Sequence, residues 1–139
     1  MISDGIQAEE GIAVNIIWDK ILFVAAQGTL DSRRTQLMMD RVLSKILDNG
    51  ARAVILDILG VSVIDTAVAN HLIKMGQATR LMGCEMVISG ISPEIAQTMV
   101  HLGVDLGNTT TSSTIKDALQ VALTKTGHEI KPIERVRSE

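Results

Sequence analysis

The stretch ILGVSVIDTAVANHL, residues 58–72, sets a hydroxyl beside a carboxylate where an apolar, β-branched run ends and a helical pattern begins. Asp65 at that junction suits a helix N-cap, because its side chain can accept from backbone N–H groups that no helical carbonyl reaches. Thr66 then falls in the first turn. No nucleophile elbow, HExxH, CxxC or glycine-rich phosphate loop accompanies it. A threonine in this position can instead be a substrate. Phosphorylation would add about −1.5 to −2 charges and three acceptor oxygens, and the N–H groups of a helix start tolerate that charge. By spacing alone, an ordinary helix-starting threonine beside an aspartate cap is the plainer account, and a phosphoacceptor is its alternative.

Other chemistry is hard to assemble. His71, His101 and His128 have no cysteine or carboxylate partners at metal-ligand spacing, so no metal is expected. GTLDS, residues 28–32, holds one glycine, too few for a nucleotide fingerprint, so no cofactor is expected either. Asp57 and Asp65 could form an acid/base pair, but Asp57 is expected to end a strand and Asp65 to cap a helix. Cys84 is the single cysteine and suits a buried structural thiol. Net charge is −3, the basic residues are scattered, and there is one Trp, one Phe and no Tyr. That argues against nucleic acid, which calls for a basic footprint. No apolar run approaches the roughly 20 residues that span a bilayer, and the start MISDGIQAEE lacks the basic and apolar regions of a signal peptide. A cytoplasmic, non-enzymatic binding or switching module is the expectation.

The elements that must position these residues follow from periodicity and punctuation. Residues 1–11 are expected to be a linker, 12–127 the domain, and 128–139 a polar tail. GIAVNIIWDKILFVAAQG predicts a hairpin, with Ile12, Val14 and Ile16 alternating inward and a turn at Trp18-Asp19-Lys20. A helix follows, from the Asp31 cap to Asn49-Gly50. ARAVILDI predicts a short buried strand. A helix from Asp65 to Gly83, the strand CEMVISG, and a helix with Ser92 as cap, Pro93 at N1 and Gly103 past its end come next. GNTTTSS allows a short strand, and Thr114 with Asp117 resembles a capping box before the last helix. Alternating strands and helices predict right-handed βαβ units, and so an α/β fold with a mostly parallel sheet and an antiparallel pair at its start.

At about 100° per residue, Val68, Leu72, Met75 and Thr79 share one face of the second helix. Thr66 lies opposite, with Asn70, Ile73, Lys74, Gln77 and Arg80. On the third helix Ile95, Met99 and Leu102 form the inner stripe, widened by Ala96 and Val100. Glu94, Gln97, Thr98 and His101 face out, so Thr98 is a second surface hydroxyl. On the first helix Met39, Val42, Leu43 and Ile46 build the core face, and Leu37 falls opposite. Leu37, Asn70, Ile73, Glu94, Gln97 and His101 together outline a candidate interaction surface.

Four stretches carry a resemblance: GTLDSRRTQ at 28–36, VILDILGVSVIDTAVANHLI at 54–73, LMGCEMVISGISPEIAQTMVHLGVDL at 81–106, and the closing amphipathic helix. The chain resembles the STAS domain family of sulfate transporter and anti-sigma-factor antagonist domains. It is most similar to the C-terminal domain of RsbR-type stressosome scaffold proteins. The resemblance covers about residues 12–125 and implies the STAS (SpoIIAA-like) fold, a right-handed βα superhelix. It also implies a cytoplasmic scaffold that assembles with itself and a STAS-domain paralogue and holds a serine/threonine switch kinase. The kinase phosphorylates the STAS proteins and is released, and a phosphatase resets them. The family's two phosphoacceptor threonines fall on Thr66 and Thr98. RsbR-type proteins usually carry an N-terminal sensor domain, whereas about 11 residues precede the first strand here. The smaller STAS partner typically has Ser at the Thr66 position. A simple anti-anti-sigma factor binding an anti-sigma kinase is the alternative, and the second threonine motif argues against it.

Overall fold

The computed structural model describes residues 12–134, so the expected linker and residues 135–139 of the expected tail lie outside the described residues. The hairpin forms as expected. β1 (Val14–Trp18) runs antiparallel to β2 (Ile21–Thr29), with Val14 opposite Val24. Lys20 takes the left-handed conformation (φ 65°) at the turn. Then come α1 (Ser32–Asn49), β3 (Ala53–Val63), α2 (Thr66–Leu81), β4 (Glu85–Ser89), α3 (Pro93–His101), β5 (Thr110–Ser112) and α4 (Ile115–Lys125). The strands lie in chain order, β1-β2-β3-β4-β5, and every pairing after the first is parallel.

That order explains the layers. Parallel crossovers that are right-handed and always step the same way put their helices on the same face. Accordingly α1, α2 and α3 share one core with Leu22, Val24, Val54, Leu56, Ile58, Met86 and Ile88. Strand residues of opposite parity, Ile21, Ala53, Ile55 and Val87, are covered by Ala118, Ala122 and Leu123 of α4 on the other face. β4 and β3 as far as Ile58 are thus buried on both sides, which is why they read as apolar runs.

Helix ends match the sequence closely. Asp31 Oδ1 accepts from Arg34 N at 2.8 Å, and Gly50 closes α1 in the left-handed conformation. Ser92 and Thr114 cap α3 and α4. The capping box is only half formed: Thr114 Oγ1 accepts from Asp117 N at 3.1 Å, while the Asp117 carboxylate accepts from Ser113 Oγ.

Four expectations need correction. β3 runs on to Val63 instead of ending near Ile58, because β2 continues beside it to Thr29. Ile16 is exposed on the outermost strand of the described sheet. On α1 the buried line is Thr35, Met38, Val42 and Ile46, so Met39 and Leu43 only flank it. On α3 only Ile95 and Met99 are buried. Ala96, Val100 and Leu102 are exposed, since a nine-residue helix at the end of the layer meets the core along one narrow line.

Candidate phosphorylation and interaction surface

The β3–α2 junction is built by local chemistry. Ile64 is buried in the main core and fixes where the chain leaves the strand. Asp65 stays extended (φ −117°, ψ 179°), and its Oδ1 accepts from Val68 N at 2.8 Å. Its carbonyl accepts from Ala69 N at 3.0 Å, the first helical bond. Thr66 is therefore the first helical residue. It is exposed, and no hydrogen bond engages its hydroxyl among the described residues. Among the described residues the Asp65 carboxylate accepts only from the Val68 N–H, so the N–H groups of Thr66 and Ala67 stay at the positive end of the helix dipole. A phosphate on Thr66 would gain from that end and be opposed by the neighbouring carboxylate. Below this turn α2 is anchored by Val68, Ala69, Leu72, Met75, Gly76 and Thr79, all buried.

Thr98 stands differently. It is half-buried in the second turn of α3, and its Oγ1 donates to the Glu94 carbonyl at 2.9 Å. The surface hydroxyl expected there is tied back to its own helix. Glu94, Gln97 and His101 are exposed on α3, Asn70 is exposed on α2, and Ile73 is half-buried. Ile73 borders a shallow polar cavity of about 310 Å³ with Gln77, Arg80 and the 105–109 loop. Leu37 is half-buried and packs against the main core, where the sequence placed it on the outer face. The six candidate surface residues belong to the three helices of one layer.

Two features escaped the sequence. Asp57 does not end its strand. It sits mid-β3, buried, and its Oδ1 accepts from Ser89 Oγ of β4 at 2.8 Å. Gly90 packs over that pair in the left-handed conformation (φ 76°), and a Cβ there would lie 2.7 Å from Asp57 Oδ1 and 2.9 Å from Leu59 N. A buried aspartate beside a serine from the next strand is a register-dependent pair, and a single chain gives no signal of it. Cys84 is buried as expected. Burial, with the Glu85 carboxylate adding to it, pushes its thiol up from 9.0 to about 12. Among the described residues no group of three or more potential ligands could hold a metal ion, and no helix is long and apolar enough to cross a membrane.

Comparison with known proteins gives this architecture its family. The STAS domain model matches residues 14–118. The RsbT co-antagonist protein RsbRA of Bacillus subtilis is 38% identical over 114 residues, which cover 82% of this chain and 42% of that protein. The chain thus spans less than half the length of such relatives. A substituted form of RsbS from Moorella thermoacetica superposes with a TM-score of 0.68 at 25% identity, over 80% of this chain and 93% of that one. A chain from the molecular architecture of the stressosome, described there as a signal integration and transduction hub, gives 0.67 at 21%, over 83% and 99%, and shares the fold. From its β1 start to the body of α4, this chain belongs to the STAS domain family, beside the RsbR co-antagonists.

Proposed function

We propose that this domain is a non-enzymatic, phospho-regulated scaffold and antagonist of a stressosome-type complex. It sequesters a serine/threonine switch kinase and releases it when a threonine is phosphorylated. The reading is carried by one observation: Thr66 is exposed at the first position of a well-anchored helix, its hydroxyl unengaged, beside the capping carboxylate of Asp65. A kinase brings its own base, so the site needs none. A doubly charged group at this turn changes the surface a partner meets while α2 stays seated on its buried line. The relatives' name, co-antagonists of RsbT, supports a kinase-holding role, and the fold this chain shares with a stressosome chain is consistent with assembly with a STAS paralogue and with further copies. A phosphatase acting on phosphothreonine would restore the unmodified turn.

The test is kinase retention by three forms of the protein: the parent, Thr66→Ala and Thr66→Asp. The parent and the alanine form retain the switch kinase, and the aspartate form retains it weakly. Equal retention by all three removes Thr66 as the control point. Sizing of the retained complex separates a large assembly from a two-protein anti-anti-sigma arrangement.

A further inference from the structure

The basic residues are scattered in sequence, yet three of them meet in the fold. Arg52 stands just before β3, Arg80 in the last turn of α2, and Lys125 at the last position of α4. All three are exposed on the rim of a cavity of about 210 Å³, which Gly83, Cys84 and Glu85 complete. Backbone bonds fix this rim: Glu85 N donates to the Arg52 carbonyl at 2.9 Å, and Cys84 N donates to the Thr79 carbonyl at 2.9 Å. The cleft sets three cations against one carboxylate, in a chain whose net charge is −3.

Cations in the last turn of a helix are ordinarily explained by its dipole and its spare carbonyls. The dipole suits Arg80 and Lys125 to their helices, but Arg52 belongs to no helix. The carbonyls at these helix ends are taken by the backbone. Thr79 O accepts from Met82 N and Cys84 N, Arg80 O from Gly83 N, Leu123 O from Thr126 N and His128 N, and Thr124 O from Gly127 N. Among the described residues no carboxylate pairs with Arg52, Arg80 or Lys125. The Glu85 carboxylate is engaged elsewhere, its Oε2 accepting from Thr110 Oγ1 of β5 at 2.7 Å. Arg80 Nη2 donates to the Asn108 carbonyl at 3.2 Å, which steadies the guanidinium beside the cleft.

We propose that this cleft binds a small, multiply charged oxyanion of the phosphate class, whether inorganic or at the end of a small metabolite. Two guanidinium forks match phosphate oxygens in pairs, and a lysine adds a compact third charge. Long side chains rooted on three separate elements can close over one anion. The lining holds no aromatic ring and no broad apolar wall, so a base or an acyl chain finds no grip there and the phosphate group is the part recognised. The site is also distinct from the phosphoacceptor turn. Thr66 opens α2 and Arg80 nearly closes it, which separates them by about 21 Å at 1.5 Å per residue. An anion held by Arg52, Arg80 and Lys125 therefore meets neither Thr66 nor Asp65.

The experiment is titration of the isotope-labelled full chain with inorganic phosphate, pyrophosphate and glycerol phosphate, read by amide chemical shifts, with sodium chloride at matched ionic strength as the control. The amides of Arg52, Gly83, Cys84 and Glu85 shift and saturate, with a half-point on the order of 1 mM. Tighter binding of phosphate or pyrophosphate assigns the inorganic ion, and tighter binding of glycerol phosphate assigns an esterified one. Arg52→Gln and Lys125→Gln each weaken binding roughly fivefold. Glu85→Gln, which keeps an oxygen for Thr110 and removes the opposing charge, tightens it about threefold. Lys45→Gln, outside the cleft, leaves it unchanged. Shifts that never saturate overturn the proposal, as do equal shifts with chloride or saturation confined to other residues. So does an Arg52→Gln/Lys125→Gln protein that binds as the parent does. Should Arg52→Gln not fold, Lys125→Gln and Glu85→Gln decide by their opposite signs. Kinase retention is scored separately, so failure here leaves that reading standing, and the reverse holds too.

Discussion

The two threonine-bearing junctions follow the same plan and differ in stiffness. At β3–α2 the chain passes from the partly exposed end of β3 into a 16-residue helix with six buried residues. At β4–α3 it passes through the tight Gly90 turn into a nine-residue helix held by Ile95 and Met99. Thr66 offers an unengaged hydroxyl on the stiff element, and Thr98 offers a tied one on the marginal element. A phosphate would therefore do different work at each place. On α2 it would change a surface. On α3 it would first have to break the bond to Glu94, and it would then add charge beside that glutamate, in the body of a short helix.

The comparison can be broken or sharpened in order of expected effect. Thr66→Ala should abolish most phosphate transfer to the chain, read as incorporation from labelled ATP by the switch kinase. Comparable incorporation into Thr66→Ala and parent would reverse the ranking of the two sites. Gly90→Ala should cost about 3 kcal/mol, from the left-handed backbone and the clash with Asp57 and Leu59. Denaturant unfolding measures it, and a loss under about 0.5 kcal/mol would show that the β4–α3 turn relaxes freely. Thr98→Glu should raise hydrogen exchange across residues 93–102, whereas Thr66→Glu leaves α2 as protected as before. Asp65→Ala should cost about 1 kcal/mol through loss of the Val68 N–H bond, a few degrees in melting temperature. Asp65→Asn should restore most of that, because an amide oxygen caps nearly as well.

One prediction lies away from both junctions. The Cys84 thiol keeps its proton in the fold up to about pH 12, while an unfolded thiol loses it near 9.0. Its contribution to stability is complete below pH 9 and fades as pH rises towards 12. Cys84→Ala should therefore flatten the alkaline limb of a stability profile. An unchanged limb would assign it to other groups.

Much of the frame was legible because it is written locally. Asp31, Asp65, Ser92 and Thr114 each cap the helix they precede, since a cap is a contract between residues three apart. The β1–β2 hairpin and the family motifs were legible for the same reason. What failed depends on neighbours distant in sequence. β3 is long because β2 keeps pairing beside it. Ile16 and Val100 are apolar in step with their elements, yet both are exposed. Leu37 turns inward because the core line on α1 is centred on Met38. The Asp57–Ser89 bond exists only in the register that sets those two residues side by side.

The most direct measurement is phosphopeptide mapping after incubation with ATP and the switch kinase from the same source, sampled over time. Phosphate should appear first on Thr66 and later on Thr98, several-fold slower, as expected if about 1 kcal/mol is spent releasing the Thr98 hydroxyl. A kinase proven active on another STAS protein that leaves Thr66 unmodified would contradict the account.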